Sequence, residues 1–179
     1  WDKSAQVLAD IAQRLEQAGV DFIVICTNTM HKVAPQIQKK IAIPILHIAQ
    51  ATAQALVDDG IRKVGLLGTK YTMTQDFYKE KLLESGLEVL IPDQAGIADV
   101  NRIIYDELCL GDIRESSKQT YLTVIDDLKN AGAEAVILGC TEIGLLVKQS
   151  DIALPLYDTT VIHAEKAAKM GIEWKNGCI

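Results

Sequence analysis

The sequence is poor in aromatic residues and has no long run of apolar or basic residues. Aromatic side chains make up 5% of the 179 residues, so a core must be built mainly from Ile, Leu, Val and Ala. No apolar stretch approaches the roughly 20 residues of a membrane-spanning helix. No run of positive charge is longer than two residues, as at Lys39-Lys40, and the net charge is -6. We therefore expect a globular protein that binds neither membranes nor nucleic acid.

Cysteine is also scarce, and its spacing argues against two common kinds of site. The four cysteines, Cys26, Cys109, Cys140 and Cys178, form no Cys-x-x-Cys pair, so neither a structural zinc site nor a dithiol redox centre is indicated. Nothing resembles an export signal, and we expect a cytoplasmic protein with free thiols. We expect Cys109 to be structural, since it lies among leucines on a helix, and Cys178 to be incidental.

Short apolar runs alternate with longer helical patterns along the chain. Leu8, Ile11, Ala12 and Leu15 predict the apolar face of the first helix, and another helix is predicted over about 29–40. The apolar runs predict strands near residues 22–26, 43–48, 63–68, 87–91, 134–140 and 154–158. Strands separated by helices of this length are typical of an α/β fold, with parallel sheets joined by helical crossovers.

Two segments of the chain repeat one pattern. They are "AGVDFIVICTNT" (18–29) and "AGAEAVILGCTE" (131–142), and each opens with Ala-Gly, continues as an apolar strand and reaches Cys-Thr. The second segment has one additional residue, Gly139, before its cysteine. A proline-led strand follows each segment, "IPILHIA" in the first case and "LPLYDTT" in the second. The repeat predicts two pseudo-symmetric lobes, each a parallel sheet flanked by helices.

Cys26 and Cys140 both follow the carboxyl end of a predicted strand, which is where open α/β sheets bind ligands. We expect a helix to begin within a few residues of each, so that its free N–H groups attract an anion and lower the thiol pKa. Two thiols on opposite faces of a carbon can invert its configuration: one thiolate removes the α-proton, and the other thiol donates a proton. The pattern therefore predicts a stereoinversion at a small anionic ligand.

The motifs around these cysteines resemble those of a known family. "CTNTMHK" and "GCTEIGLL", with "LGTKYTMTQDFY" and "DELCLGD", resemble the aspartate/glutamate racemases that work without pyridoxal phosphate. The resemblance covers residues 1 to about 168. It implies a homodimer that racemises aspartate and/or glutamate, a small-molecule substrate, with no cofactor and no metal. It implies that Cys26 and Cys140 are the catalytic residues. The substrate-binding residues that it implies are Thr27, Asn28, Thr29, Thr141 and Glu142.

Other residues are weaker candidates for the site. Tyr71 and Thr72 follow a strand end, where either could contact the pocket. The alternative is that Thr72, or Thr74, caps the next helix. Some aspartate-specific members of the family have a tyrosine followed, one helical turn later, by a lysine that reaches the distal carboxylate. Tyr105 aligns with that tyrosine, but Cys109 stands at the lysine position. For His163, on the last helix, a structural role is favoured over a site role. His31 and His47 are expected mainly to cap or pack. All of these tyrosine, threonine and histidine positions are secondary to the cysteines.

The resemblance also has departures. Family members usually open with a strand and a Gly-Gly-Met-Ser type loop, which this sequence does not contain. We expect the first lobe (1–57 with 159–179) to miss its N-terminal strand, and the second lobe to span 58–158. This polypeptide alone is then expected to racemise weakly or not at all. Two alternatives stay open: a related enzyme of the hydantoin racemase, maleate isomerase or arylmalonate decarboxylase type, or an inactive binding domain or gene fragment.

Overall fold

The computed structural model describes residues 1–175, and Cys178 lies outside them. In this part of the chain the α-helices are α1 (Asp2–Gln17), α2 (Ala34–Gln38), α3 (Ile48–Asp58), α4 (Lys70–Thr74), α5 (Asp76–Glu84), α6 (Gln94–Asp106), α7 (Glu115–Asn130), α8 (Ile143–Leu146) and α9 (Thr159–Lys175). The strands are β1 (Ile23–Val24), β2 (Ile45–Leu46), β3 (Lys63–Gly68), β4 (Glu88–Leu90), β5 (Ala135–Gly139) and β6 (Leu156–Asp158). Short 3₁₀ helices cover Thr29–Val33, Leu108–Leu110 and Gln149–Asp151.

The strands form two parallel sheets, which confirms the α/β fold and fits two lobes. The first sheet pairs β1 with β2, with Ile23 opposite Ile45. The second has the order β4-β3-β5-β6, and all its pairs are parallel. In each sheet the strand that precedes a cysteine pairs with the proline-led strand that follows it in the chain, β1 with β2 and β5 with β6. The repeat in the sequence therefore reappears as a repeat in the topology.

The second sheet is buried on both faces, as its apolar sequence predicts. All five residues of β5 are buried, because parallel strands are covered by crossover helices on both sides. Successive side chains of a strand point to opposite faces. Val136 and Leu138 accordingly join the core beneath α6 and α7. Ala135 and Ile137 join the core that contains the buried face of α3.

The first sheet has a smaller core, and the predicted apolar face of α1 is confirmed at Ala12 but wrong at Ile11 and Leu15. α1 buries Ala5, Ala9 and Ala12, while Ile11 and Leu15 are 45% and 43% exposed. The small alanine side chains share a core with α2 and β1, which allows close packing. The larger residues on the adjoining face of α1 line an open cleft instead. Among residues 1–175, β1 has β2 as its strand partner on one edge, and this cleft lies beside it.

Several predicted boundaries are also wrong. The helix expected over 29–40 is divided into a 3₁₀ helix and the five-residue α2, which has a proline in its first turn. The strand expected over 43–48 is limited to Ile45–Leu46, because α3 already begins at Ile48. His47 caps α3, its Nδ1 accepting a hydrogen bond from the Ala49 amide. This side-chain bond at the start of α3, which periodicity does not reveal, marks where the helix begins.

Two glycines allow the ends of β3 and β5 to approach closely. Gly68 and Gly139 are paired in register at the carboxyl ends of the two strands. A Cβ on Gly139 would lie 2.6 Å from the Leu67 carbonyl oxygen, and a Cβ on Gly68 would lie 2.9 Å from the Gly139 carbonyl oxygen. The additional residue in the second repeat, Gly139, therefore has a packing role: it brings the segment beginning at Cys140 close to the end of β3.

Candidate active site

Cys26 lies in the loop that follows β1. The strand ends at Val24, the Thr27 amide then bonds the Ile25 carbonyl at 2.8 Å, and the 3₁₀ helix begins at Thr29. The Cys26 side chain is exposed. It borders the cleft beside β1, which has a volume of about 340 Å³. Apolar residues of α1 and β1 form most of its wall, among them Leu8, Ile11, Leu15 and Ile23. The first thiol is thus accessible.

Cys140 directly follows β5, and its thiol is half-buried. Its Sγ–H donates a hydrogen bond to Glu142 Oε2 at 2.9 Å. Burial raises the pKa of the Cys140 thiol, and the hydrogen bond and negative charge of Glu142 raise it further. Burial also acts to raise the pKa of Glu142, but hydrogen bonds from Cys140 and Thr141 outweigh this and leave that pKa lowered. The pair therefore holds its proton on sulfur, and Cys140 is poised as a proton donor.

Asn28 is the buried centre of a hydrogen-bonded chain. Its Nδ2 donates to Thr159 Oγ1 at 3.0 Å, and Thr159 Oγ1 donates to the Leu138 carbonyl at 2.9 Å. Because the threonine hydroxyl has one proton, which goes to Leu138, it accepts from Asn28, and this fixes the orientation of the amide. Asn28 is 3% exposed, and its Oδ1 has no hydrogen-bond partner among the described residues. One buried acceptor is therefore left without a partner.

A second set of hydrogen bonds joins the same loop to the end of β3. Thr29 Oγ1 lies 3.1 Å from Thr69 Oγ1, which in turn lies 3.2 Å from Thr72 Oγ1. Thr69 follows Gly68 and caps α4 by accepting from the Thr72 amide at 3.3 Å. The expectation that Thr72 or Thr74 acts as a cap is wrong, since both lie inside α4. Gly68 pairs with Gly139, so these bonds bring the Cys26 loop to the strand ends beside Cys140.

Sequence reasoning missed two of these residues, Thr69 and Thr159. Each directly follows a strand, β3 in one case and β6 in the other. The rule that singled out the cysteines, that ligands bind beyond the carboxyl ends of parallel strands, would also have indicated both threonines. Their hydroxyls are buried, with side chains 6% and 0% exposed. They position the loops rather than face the cleft.

The helices that follow the cysteines are shorter than expected. α8, after Cys140, has four residues, and the segment after Cys26 begins as a five-residue 3₁₀ helix. A macrodipole builds up from many aligned peptide units, so these short helices add little to it. The expected lowering of the Cys140 pKa is wrong, because burial and Glu142 act in the opposite direction. Any anion at this site depends on individual donors, including the exposed Thr141.

Tyr105 and Cys109 lie near Cys140. The Tyr105 side chain is 46% exposed. Its pKa is raised by partial burial and by the nearby Cys140 and Cys109. Cys109, which we expected to be structural, is exposed, and burial and the charge of Glu142 raise its pKa. The sequence reading of Cys109 missed this proximity because its leucine neighbours suggested a core position.

The remaining candidate residues differ in burial, with Tyr71 exposed and both Thr72 and His163 buried. Tyr71 is exposed, with its ring edge-on to Trp1 at a centroid distance of 5.8 Å. Thr72 is fully buried behind Gly68. His163 is buried, with its Nε2 2.8 Å from the Leu46 carbonyl, and it packs near His31. Thr72 and His163 therefore lie behind the site, and Tyr71 lies on its surface.

In residues 1–175, no group of three or more His, Cys, Asp or Glu side chains is arranged to hold a metal ion. The same residues contain no helix that is both long and apolar enough to cross a membrane. The candidate polar groups of the site are thus the two thiols, Glu142, the buried and unpartnered Asn28 Oδ1 and the hydroxyls near them.

Known proteins match this chain over almost its whole length. A family model described as Asp/Glu/hydantoin racemase matches residues 1–167. A broad-specificity amino-acid racemase of Bacillus subtilis strain 168 is 25% identical over 175 residues, 98% of this chain and 75% of the relative. A candidate Asp/Glu racemase from Yersinia pestis superposes with a TM-score of 0.92 at 50% identity, over 96% of this chain and 75% of the other. An aspartate racemase homologue from Pyrococcus horikoshii OT3 has a TM-score of 0.84 and 38% identity, over 93% of this chain and 73% of the other.

Proposed function

Because the chain belongs to the Asp/Glu/hydantoin racemase family, we propose that it interconverts the L and D forms of aspartate, glutamate or both. The reaction proceeds by transfer of the α-proton between the substrate and two cysteines, without a cofactor. One observation carries the proposal: the loops of Cys26 and Cys140 both follow parallel strands, and the chain Asn28–Thr159–Leu138 connects them. Such a connection keeps two thiols at one ligand.

The two thiols have different starting roles. Cys140 carries its proton, which it shares with the Glu142 carboxylate at 2.9 Å. When racemisation starts with the proton on Cys140, Cys26 acts as the thiolate and removes the α-proton of the substrate. Cys140 then donates its proton to the opposite face of the carbon, which leaves a thiol at Cys26 and a thiolate at Cys140. The reverse direction exchanges these roles, so each enantiomer needs both residues.

Asn28 suits the substrate ammonium group better than a carboxylate. Its Nδ2 already donates to Thr159, and the atom left free is the acceptor Oδ1. A buried acceptor with no partner is costly, and an ammonium N–H would satisfy it. This refines the role implied by the family resemblance. The α-carboxylate then depends on the hydroxyls of Thr27, Thr29 and Thr141 and on nearby backbone N–H groups, which stabilise the charge that develops as the proton leaves.

In this proposal Tyr105 contacts the side-chain end of the substrate. Its exposed hydroxyl lies near Cys140, and its raised pKa keeps it a protonated donor. A phenol donor suits the distal carboxylate that aspartate and glutamate share. A neutral hydantoin would gain less from this donor, so this feature favours the acidic amino acids over the other substrates of the family.

The substrate class is tested by offering several substrates to the wild-type chain. L-Asp, L-Glu, a 5-substituted hydantoin and an arylmalonate are incubated in parallel, and products are separated by chiral chromatography. The proposal predicts formation of D-Asp or D-Glu and no turnover of the other two. Turnover of the hydantoin or the arylmalonate alone would replace the proposed substrate class with that of a related enzyme.

A further inference from the structure

The three histidines of the sequence lie together behind the Cys26 loop. The His31 ring centroid is 4.5 Å from that of His47 and 5.8 Å from that of His163, and both neighbours meet it edge-on. His31 is 1% exposed and His163 is 3% exposed. No step of the proposed reaction uses any of them. A buried group of imidazoles beside a catalytic loop therefore calls for an explanation of its own.

His31 makes two hydrogen bonds whose directions fix its chemical state. The Ile48 amide, in the first turn of α3, donates to His31 Nε2 at 3.1 Å. Nε2 must therefore present its lone pair, and the proton of a neutral ring lies on Nδ1. Nδ1 is 2.7 Å from the Thr27 carbonyl oxygen, to which it donates. In a doubly protonated ring, the Nε2–H of His31 would face the N–H of Ile48, and two donors would meet without an acceptor.

Each of the other two imidazoles has one bond to a neighbouring backbone group. His47 Nδ1 accepts from the Ala49 amide at 3.2 Å, and His163 Nε2 lies 2.8 Å from the Leu46 carbonyl. The three rings thus contact the end of β2, the start of α3 and α9, and His31 alone of the three bonds the Cys26 loop. Burial lowers the pKa of His31 to about 4, with a further contribution from His163. The ring is therefore neutral near pH 7.

We propose that His31 is a positioning residue that holds the loop of Cys26, through the Thr27 carbonyl, against the first turn of α3. Thr27 is next to Cys26 in the chain, so a shift of its peptide moves the thiol directly. The catalytic consequence depends on the proposed racemase function, but the positioning does not. His31 touches no reacting atom and acts through Thr27.

Two substitutions each remove one of the two hydrogen bonds of His31 and keep the other. In His31→Asn the side-chain N–H₂ occupies the place of Nδ1 and keeps the bond to Thr27, but the acceptor for Ile48 is lost. In His31→Gln the side-chain oxygen occupies the place of Nε2 and keeps the bond to Ile48, but the donor to Thr27 is lost. His47→Asn is the matched control, since asparagine is a good N-cap for α3 and this position does not touch Thr27.

The first measurement does not depend on activity. Two-bond ¹H–¹⁵N NMR of the wild-type chain identifies the protonated nitrogen of His31, and amide hydrogen exchange reports the order of residues 27–29. We expect the proton on Nδ1, and faster amide exchange in His31→Gln than in His31→Asn or His47→Asn. A proton on Nε2, or equal amide exchange in all three variants, would overturn the proposal.

The second measurement is α-proton exchange of the substrate, expressed per folded protein. We expect His31→Gln to lose about tenfold in kcat, as small misplacements of a reacting group do, while His31→Asn and His47→Asn stay near the wild-type value. A purely structural role would instead lower the folded fraction and leave kcat per folded molecule equal in the three variants. Absence of exchange in the wild type would refute the proposed function, and the NMR result would still decide the role of His31.

Discussion

The amide of Asn28 donates to the hydroxyl of Thr159 at 3.0 Å, across 131 positions of the sequence. The same hydroxyl donates to Leu138, two residues before Cys140. Asn28 lies two residues after Cys26. A single buried hydroxyl therefore connects the two cysteine loops and orients the Asn28 amide so that its oxygen is free.

Replacing Thr159 by valine should disturb both loops. Valine keeps the shape of threonine but leaves the buried Asn28 N–H without an acceptor, which typically costs about 1–3 kcal/mol of unfolding free energy. We expect Thr159→Val to lose this amount in urea unfolding and to racemise more slowly, while Thr159→Ser keeps most of both. Equal behaviour of the two variants would show that the hydroxyl does not matter.

Replacing Glu142 by glutamine should lower the pKa of Cys140. The change removes the negative charge and the carboxylate acceptor, which both raise that pKa, and burial continues to hold it above its ordinary value. The pKa is measured by alkylation rate against pH in a chain whose other cysteines are replaced by serine. An unchanged or higher value in Glu142→Gln would contradict the pairing.

The histidine group should make stability depend on pH. Burial lowers the pKa of His31 to about 4 and that of His47 to about 3, the latter helped by the charges of His31 and Lys81. The unfolded chain has histidine pKa values of about 6.5 and binds more protons below that pH, so stability is full above about 6.5 and falls as the pH drops toward 4. His31 and His47 border a surface cavity, and the charged groups that line this cavity are Lys32, Lys39, Asp76, Glu80 and Lys81.

Urea unfolding of wild type and His47→Asn at several pH values between about 7.5 and 4.5 separates this effect from that of the carboxylates. We expect the wild type to lose more unfolding free energy over this interval than His47→Asn, because the variant has one depressed histidine fewer. Parallel curves for the two proteins would remove His47 from the explanation.

Gly139→Ala should destabilise the junction of β3 and β5. The added methyl would lie 2.6 Å from the Leu67 carbonyl oxygen, and overpacking of this kind costs about 1–3 kcal/mol. Gly171→Ala is the control: nothing lies within 4 Å of its added methyl, and in α9 alanine should stabilise by up to about 1 kcal/mol. Thermal unfolding of both variants checks the prediction, which fails if Gly139→Ala melts at or above the wild-type temperature.

Much of the fold was predictable because it depends on local patterns. Apolar runs predicted, in order, the six strands found in residues 1–175, and the Cys-Thr repeat indicated two parallel sheets with a cysteine after a strand of each. The face of α1 was not predictable, since its alanines are buried and its larger residues line a cleft. Which face of α1 is buried depends on how closely α2 packs against it, and the helical periodicity of the sequence gives no information on this.

The site was predictable only in part, for a similar reason. Cys26, Cys140 and Asn28 follow from motifs, whereas the link from Asn28 through Thr159 joins residues far apart in sequence. Cys109 looked structural from its neighbours, yet it is exposed near Glu142. The state of the Cys140 thiol was also missed, because burial and Glu142 outweigh the short helix that follows it.

Exchange of the substrate α-proton in D₂O tests the two-cysteine mechanism most directly. Wild type, Cys26→Ser and Cys140→Ser are incubated with L-Asp or L-Glu, and ¹H NMR follows the α-proton signal. Cys109→Ser is the matched control, a thiol near Cys140 that has no proton-transfer role. The account predicts that wild type and Cys109→Ser lose the α-proton signal and form the D-isomer. It predicts no D-isomer with Cys26→Ser or Cys140→Ser. Wild type that exchanges no α-proton, or one of those two variants that racemises as fast as wild type, would contradict it.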